Sequence, residues 1–293
     1  MAACGVEARR GVWQIPSVIL AAAFVLGLVI GSFLNVCIVR IPHGESIVRP
    51  ASHCTGCGRA IRPYENIPIV SWLVLRGRCR TCRKPISWMY PVVELVTALL
   101  FLACAVAFGP TLEGAKWALL SALIVVLVAT DIRERILPDK VNFTGFVIGV
   151  VLSGFLRPAD GVAAWLSSKM FDFPPPTPVL SVVDSLMGAL VGGGLLWIVA
   201  EGYFRLRGRE GMGLGDVKMM AMVGAFVGLE GALLAILIGS LLGSVLGLLF
   251  IAIFSKDSDY ELPFGAFLGA GTMIVVFFGT RMLEWYQTVA GMR

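Results

Sequence analysis

Charge is scarce in this chain. Only 15% of its 293 residues are Asp, Glu, Lys or Arg, against roughly a quarter in a soluble domain. With a mean hydropathy of +0.85, that deficit excludes an ordinary soluble globule and implies an integral membrane protein. The formal net charge of +5 is modest and gathers in particular loops, which excludes nucleic acid as a natural partner. A repeat of fixed period is also missing, as is any Gly-x-Gly-x-x-Gly run following a strand. Arg9 and Arg10 precede an apolar stretch, but no small-x-small cleavage site follows it, so the stretch reads as an uncleaved anchor.

What is present is apolar sequence in runs of membrane-spanning length, about 20 residues each. They cover 15–39, 91–108, 116–130, 141–156, 183–204, 217–229, 231–254 and 263–283, the third and sixth being short. The fold class is therefore all-α and polytopic, with about eight transmembrane helices. The chain has 34 glycines, and the small residues of Gly188–Gly194 are spaced for close helix packing. Arginine sets the orientation. The segment between the first two spans holds Arg40, Arg49, Arg59, Arg62, Arg76, Arg78, Arg80 and Arg83. By parity it shares a side with Arg133, Arg135, Arg205, Arg207 and Arg209, and the basic side is expected to be cytoplasmic. Arg9, Arg10, Arg157, Lys169 and Arg281 fall on the other side, as does the N-terminus.

Inside the basic segment stand Cys54-Thr-Gly-Cys57 and Cys79-Arg-Thr-Cys82. Two Cys-x-x-Cys knuckles bring four thiolates within reach of one structural Zn2+. Paired disulfides are the competing reading, disfavoured in a reducing compartment. Cys4, Cys37 and Cys104 lack such a pattern and read as inert small hydrophobes.

Two aspartates lie at the edges of apolar runs: Asp131 in Thr-Asp-Ile-Arg-Glu-Arg-Ile-Leu-Pro-Asp, and Asp216 in Gly-Met-Gly-Leu-Gly-Asp-Val-Lys. A carboxylate there is costly unless it has a task, and parity returns both to one membrane face. They read as an acid/base pair sharing a water. Gly213 and Gly215 let an extended substrate backbone approach; a flexible turn with Asp216 as helix N-cap is the alternative. Lys218 either meets the substrate and tunes Asp216 or is a membrane-boundary lysine. Asp139 reads as a helix cap, and Asn35 as a hydrogen-bonding group between helices.

The order of motifs resembles a known family. Gly-Ser-Phe-Leu-Asn-Val-Cys-Ile-Val-Arg-Ile-Pro at Gly31–Pro42 precedes the cysteine pairs, with Tyr-Glu-Asn-Ile-Pro-Ile-Val-Ser-Trp-Leu at Tyr64–Leu73 between them. Ile-Ser-Trp-Met-Tyr-Pro-Val-Val-Glu-Leu at Ile86–Leu95, the two aspartate motifs and Pro-Phe-Gly-Ala-Phe-Leu at Pro263–Leu268 follow. Together these resemble type IV prepilin peptidases, the bifunctional leader peptidases and N-methyltransferases of pilus assembly and type II secretion.

The resemblance implies an aspartic protease of the Gly-x-Gly-Asp type in the bacterial cytoplasmic (inner) membrane, its active site facing the cytoplasm. Asp131 and Asp216 would be catalytic, and Cys54, Cys57, Cys79 and Cys82 would hold zinc. Prepilins and pseudopilins would be substrates, S-adenosylmethionine the methyl donor, and the lipid bilayer the remaining partner. Residues 1–39 then form the N-terminal segment and first helix, 40–89 a small cytoplasmic zinc module, and 90–293 the transmembrane peptidase core. Glu94, costly inside the second span, is a candidate to bind the prepilin amine or the methyl donor. Glu45, Glu65 and Glu134 are candidates to offset a basic leader near a basic module. Met89 stands where many members carry arginine, and the outer loop 157–184 looks longer than usual. Rival readings are a proton-coupled transporter using the two aspartates as relays, and an assembly scaffold built around the cysteine module.

Overall fold

A computed structural model describes residues 15–156, 169, 176–209, 211–254 and 263–289. Cys4, Arg9, Arg10, Arg157 and most of the loop 157–175 lie outside the described residues. The described helices are α1 (Ser17–Arg40), the five-residue α2 (Val70–Val74), α3 (Met89–Phe108), α4 (Leu112–Glu134), α5 (Asp139–Leu156), α6 (Thr177–Arg207), α7 (Leu214–Phe254) and α8 (Phe264–Val289). A single 3-10 turn covers Pro63–Glu65, and no strand beyond two isolated bridges occurs among the described residues. Seven of the helices are long and apolar enough to cross a membrane, so the chain is an all-α, multi-pass membrane protein.

The longest helix is two. At Gly228 the backbone takes φ 74° and ψ −172°, a region open essentially to glycine alone. A methyl group at Gly192 would meet both the Met220 carbonyl and the Ala232 side chain, at 2.8 and 3.3 Å. Twelve residues of straight helix would hold those two about 18 Å apart. The chain therefore reverses at Gly228, and α7 is a helical hairpin with arms 214–227 and 229–254. Leaving aside the short α2, eight helical segments result among the described residues, as the apolar runs imply, with the break one to two residues earlier than the end of the sixth run.

A broken helix at membrane depth must have its freed backbone groups satisfied by protein. Here α6 supplies the partners. Asp184 Oδ1 accepts the Leu229 N–H at 3.4 Å, and the Ser185 hydroxyl donates to the Ala225 carbonyl at 2.7 Å. Close approach makes this possible: a methyl at Gly188 would lie 2.5 Å from the Gly224 carbonyl, and methyls at Gly192 and Gly193 would find their nearest neighbours at 2.8 and 3.0 Å. The small-residue stripe at Gly188–Gly194 is thus a packing surface, although Gly194 faces open space. The first arm is the centre of the bundle, with Met219, Met220, Met222, Val223 and Phe226 fully buried. Its 14 residues span about 21 Å, short of a hydrocarbon core of about 30 Å, which is tolerable because protein rather than lipid surrounds it.

Two helix starts differ most from the apolar runs. Helix α4 starts at Leu112 because Thr111 Oγ1 accepts the Gly114 N–H at 3.1 Å. The run stopped short at Lys116, a residue that is buried with its ammonium 4.5 Å from the Trp117 ring centroid. Helix α6 starts at Thr177, so 177–184 is helix and not part of an outer loop. Pro178 fits there because the first turn needs no N–H from it.

Between α1 and α3 the two knuckles repeat one local design. Cys54 and Cys79 each donate N–H to the carbonyl five residues on, at 2.9 Å, and each accepts from the residue four on. That fourth residue is left-handed in both, Gly58 at φ 70° and Arg83 at φ 60°. α1 lies against α3 through Gly27 and Gly31, whose methyls would meet the Ala98 and Glu94 backbones at 2.6 and 2.7 Å.

Replacing Gly224 by valine is expected to cost at least about 2 kcal/mol by overpacking against the α6 backbone. Gly194→Ala, with nothing within 4 Å of its added methyl, is expected to stay within about 0.5 kcal/mol of the parent. Unfolding in detergent compares the two.

Candidate active site

Asp131 sits in the last turn of α4, before Arg135 turns the chain left-handed at φ 57° and ends the helix. Asp216 sits in the first turn of α7, its N–H donating to the Gly213 carbonyl at 3.2 Å. Gly213 is therefore the residue that precedes the helix, and Asp216 is not the N-cap. The start of α8 brings the two together. A methyl at Gly265 would lie 3.0 Å from Asp131 Oδ2 and 3.1 Å from Asp216 Oδ1. One small group at that point touches both carboxyls.

The two are held differently. The Ala266 N–H, in the first turn of α8, donates to Asp131 Oδ2 at 2.9 Å. Helix starts carry orphan N–H groups and a positive dipole end, so this is a favourable seat for a carboxylate. Asp216 Oδ1 is buried with no hydrogen-bond partner. A buried acceptor left unpaired is costly, so the two carboxyls stand in unlike surroundings.

Leu137, in the link between α4 and α5, closes the floor. Its side chain would be 2.9 Å from a methyl at Gly215 and 3.0 Å from one at Gly265. Gly215 thus serves to seat Leu137. Gly213 is the open glycine, with nothing closer to its added methyl than 3.9 Å. Lys218 donates to both oxygens of Asp139 at 2.7 and 2.8 Å, tying the first turn of α5 to the first arm of α7. Asp139 is accordingly an ion-pair partner and not a cap; Pro138 supplies the carbonyl to which Val141 and Asn142 donate.

On the same side of the bundle the four paired cysteines converge. Their Sγ atoms all lie within 4.8 Å of one another, and Cys54 and Cys82 are 3.6 Å apart. A tetrahedral ion with bonds of about 2.3 Å needs sulfurs about 3.8 Å apart, so the cluster fits a thiophilic metal. Hydrogen bonds from the Cys57 and Gly56 backbone N–H groups, then from the Cys79 thiol, hold the Cys54 thiol down at about 6. Without a metal the cluster shares its protons unevenly, the Cys82 thiol being pushed up to about 11 by burial and its neighbouring thiols. All four are free of disulfides. Cys37 and Cys104 are buried singly, as inert hydrophobes.

Comparison with known proteins gives two family matches. Residues 25–108 match the bacterial Peptidase A24 N-terminal domain, and residues 117–248 match the type IV leader peptidase family. A Xanthomonas campestris prepilin leader peptidase/N-methyltransferase is 35% identical over 303 residues, covering 96% of this chain and 98% of the relative. The Pseudomonas aeruginosa protein of the same name is 32% identical, covering 95% and 97%. This chain belongs to the type IV leader peptidase family. A Myxococcus xanthus relative of that name is 42% identical over 204 residues, 70% of this chain and 55% of the relative. No solved structure matches the chain.

The leader-peptidase residues read from sequence do not all gather at the pair. Glu94 accepts the Ile69 N–H at 2.7 Å, which joins α3 to the loop of the cysteine module. Asn35 bridges helices as expected, donating to the Tyr90 carbonyl at 3.0 Å. Glu65 is engaged by Arg59 and Arg80, and Glu134 by Arg133 and His43, so neither is spare for a basic leader. Arg59 beside Glu65 holds that carboxyl below its ordinary range. Gly265, Ala266 and Leu137 were not singled out from sequence. Their only signal was the Pro263–Leu268 motif and the stretch after Asp131, neither of which says what it touches. Among the described residues no Gly-rich strand-to-helix turn is available to hold a nucleotide-like methyl donor, and no residue is assigned to one.

About one thiophilic metal ion per chain is expected after chelator-free purification. Elemental analysis measures it. Cys79→Ser should lower occupancy at least about tenfold, whereas two intact disulfides without metal would contradict the cluster.

Proposed function

We propose that this chain is a membrane-embedded aspartic endopeptidase that removes the basic leader from type IV prepilins and type II secretion pseudopilins. The observation that carries the reading is the meeting of Asp131 and Asp216 at Gly265, with one buried oxygen of the pair left without a partner. The names of the relatives, matched over nearly the whole chain, agree with it.

Two carboxyls this close cannot both ionise cheaply, so the pair shares one proton. The ionised member takes a proton from a water that attacks the scissile carbonyl carbon, while the protonated member donates to the carbonyl oxygen. The tetrahedral adduct then collapses, the C–N bond breaks, and the leaving amine takes a proton from the pair. The Ala266 N–H fixes Asp131 through this cycle, and Lys218 with Asp139 fixes the segment that carries Asp216. Gly213 admits an extended substrate backbone beside Asp216, and Gly215 keeps Leu137 beneath it. Glu94 serves the site at one remove, by positioning the cysteine module.

The four cysteines hold a structural zinc ion in this reading, closing the module through Cys54, Cys57, Cys79 and Cys82. N-methylation of the new N-terminal residue is the second activity, with S-adenosylmethionine as donor. Its support is the family and the relatives' names. The excess of arginine in the loops beside the pair and the module supports a location at the cytoplasmic face of the bacterial inner membrane. A prepilin's apolar helix would enter from the bilayer and present its junction at that face. The proton-relay transporter gains no support from any of these observations.

Asp131→Asn and Asp216→Asn are each expected to abolish leader cleavage by purified protein while leaving the fold intact. Gly265→Ala should lower cleavage at least about a hundredfold, because its methyl occupies the point where water would meet both carboxyls. Substantial cleavage by either asparagine variant would sink the assignment.

Sidedness is testable separately. Single cysteines at Arg59, Arg133 and Arg209 in an otherwise cysteine-free chain should be protected from an impermeant reagent applied outside intact cells. Labelling at Arg133 but not Arg209 would put the two aspartates on opposite faces and end the shared-water mechanism.

A further inference from the structure

The short helix α2 has an apolar face that the described residues leave largely exposed. Val70, Leu73 and Val74, spaced i, i+3 and i+4, share that face, and Leu73 and Val74 are 60% and 76% exposed. The opposite side is held. Ser71 is buried, with its hydroxyl donating to the Tyr64 carbonyl at 3.1 Å, and the Trp72 indole N–H donates to the Ile86 carbonyl at 3.2 Å. The exposed side is therefore fixed in direction and not a matter of side-chain choice. Ile69, just before α2, is held at φ 59°, a conformation unfavourable for a β-branched residue. Something must over-determine it, and the Glu94 carboxylate on its N–H does so.

That bond also sets the depth of α2. Glu94 lies five residues into α3, about 8 Å along the axis, and helical side chains lean toward the N-terminus. The Ile69 amide is thus level with the first turn of a membrane-spanning helix. Trp88, 71% exposed, stands immediately before that turn, at the position where aromatic side chains mark a membrane interface. At the end of α2 come exposed Arg76 and Arg78. The module as a whole, residues 40–89, carries nine basic residues against Glu45 and Glu65.

We infer that α2 is a membrane-docking element. It lies in the headgroup region of the leaflet on the carboxylate side, Val70, Leu73 and Val74 face the acyl boundary, and Arg76 and Arg78 engage anionic phospholipid headgroups. The occupant follows from depth and charge together. An apolar face at bilayer level meets lipid, and the arginines beside it select negative lipid. Glu94 is the positioning residue that sets this depth, through the same bond that positions the cysteine module. The inference does not depend on the peptidase reading.

The test uses the full chain in nanodiscs of phosphatidylethanolamine and phosphatidylglycerol in equal parts. A photo-crosslinking benzoylphenylalanine is placed singly at Leu73 and Val74, with lipid-facing Val18 in α1 as positive control and Thr55 in the first knuckle as negative control. Mass spectrometry identifies the adducts. Lipid adducts at Leu73 and Val74 are expected at the Val18 level, with Thr55 near background. In an Arg76→Gln, Arg78→Gln background the ratio of phosphatidylglycerol to phosphatidylethanolamine adducts at Val74 should fall about fivefold, while the ratio at Val18 stays unchanged. Glu94→Gln, which keeps size but weakens the grip on Ile69, should lower adducts at Leu73 and leave Val18 alone. The inference is overturned if Leu73 and Val74 give no lipid adduct while Val18 does. It is equally overturned if they crosslink instead to a second copy of the chain or to an added prepilin. Leader cleavage measured on the same samples reports separately on the peptidase reading.

Discussion

Lipid offers no hydrogen bonds, so every helix that starts or stops within the bilayer must find its partners in the protein. This chain meets that demand twice with a buried carboxylate. Asp184 takes the N–H of Leu229, where the second arm of the hairpin begins, and Asp131 takes the N–H of Ala266, where α8 begins. The first lets the chain turn back at Gly228. The second aims a helix start at the carboxyl pair. Without the turn the start of α8 would lie at the wrong end of the bundle, and without α8 the two aspartates would lack a common neighbour.

Much of this was legible in the sequence, and the reasons for the rest are physical. Apolar runs of spanning length leave few alternatives in a bilayer, so eight segments and their parity could be read directly. The ends could not. Lys116 interrupts an apolar run, yet it is buried beside Trp117, so α4 extends past the point where hydropathy fails. Pro178 looks like loop but occupies a first helical turn, where a missing N–H costs nothing. Gly228 sits near the end of the sixth apolar run, and only its dihedrals fix the residue at which the chain reverses.

The site divides in the same way. Carboxylates at the edge of apolar sequence announce themselves by their cost, and paired thiols by their spacing. The residues that complete the site leave no such mark. Gly265 and Leu137 matter because of what they touch, and Lys218 because of a partner on another helix. Tertiary contacts of that kind have no local signature. Glu94 is the instructive middle case. Its cost was visible, but the group it serves is a backbone amide in the cysteine module, which no pattern in the chain predicts.

The buried first arm of α7 has one more consequence. Behind Asp216 the arm presents Met219, Met220, Met222, Val223 and Phe226, all sealed from solvent, and then the reversal. No polar route leads from the carboxyls to the opposite face along this helix. On the proposed peptidase reading, protons taken up and released at the pair then belong to a single compartment, and no charge crosses the bilayer during a turnover. Chemistry of that kind is electrically silent. Its rate in sealed vesicles should not respond to an imposed membrane potential, in contrast to membrane carboxylates whose task is to move charge across the bilayer.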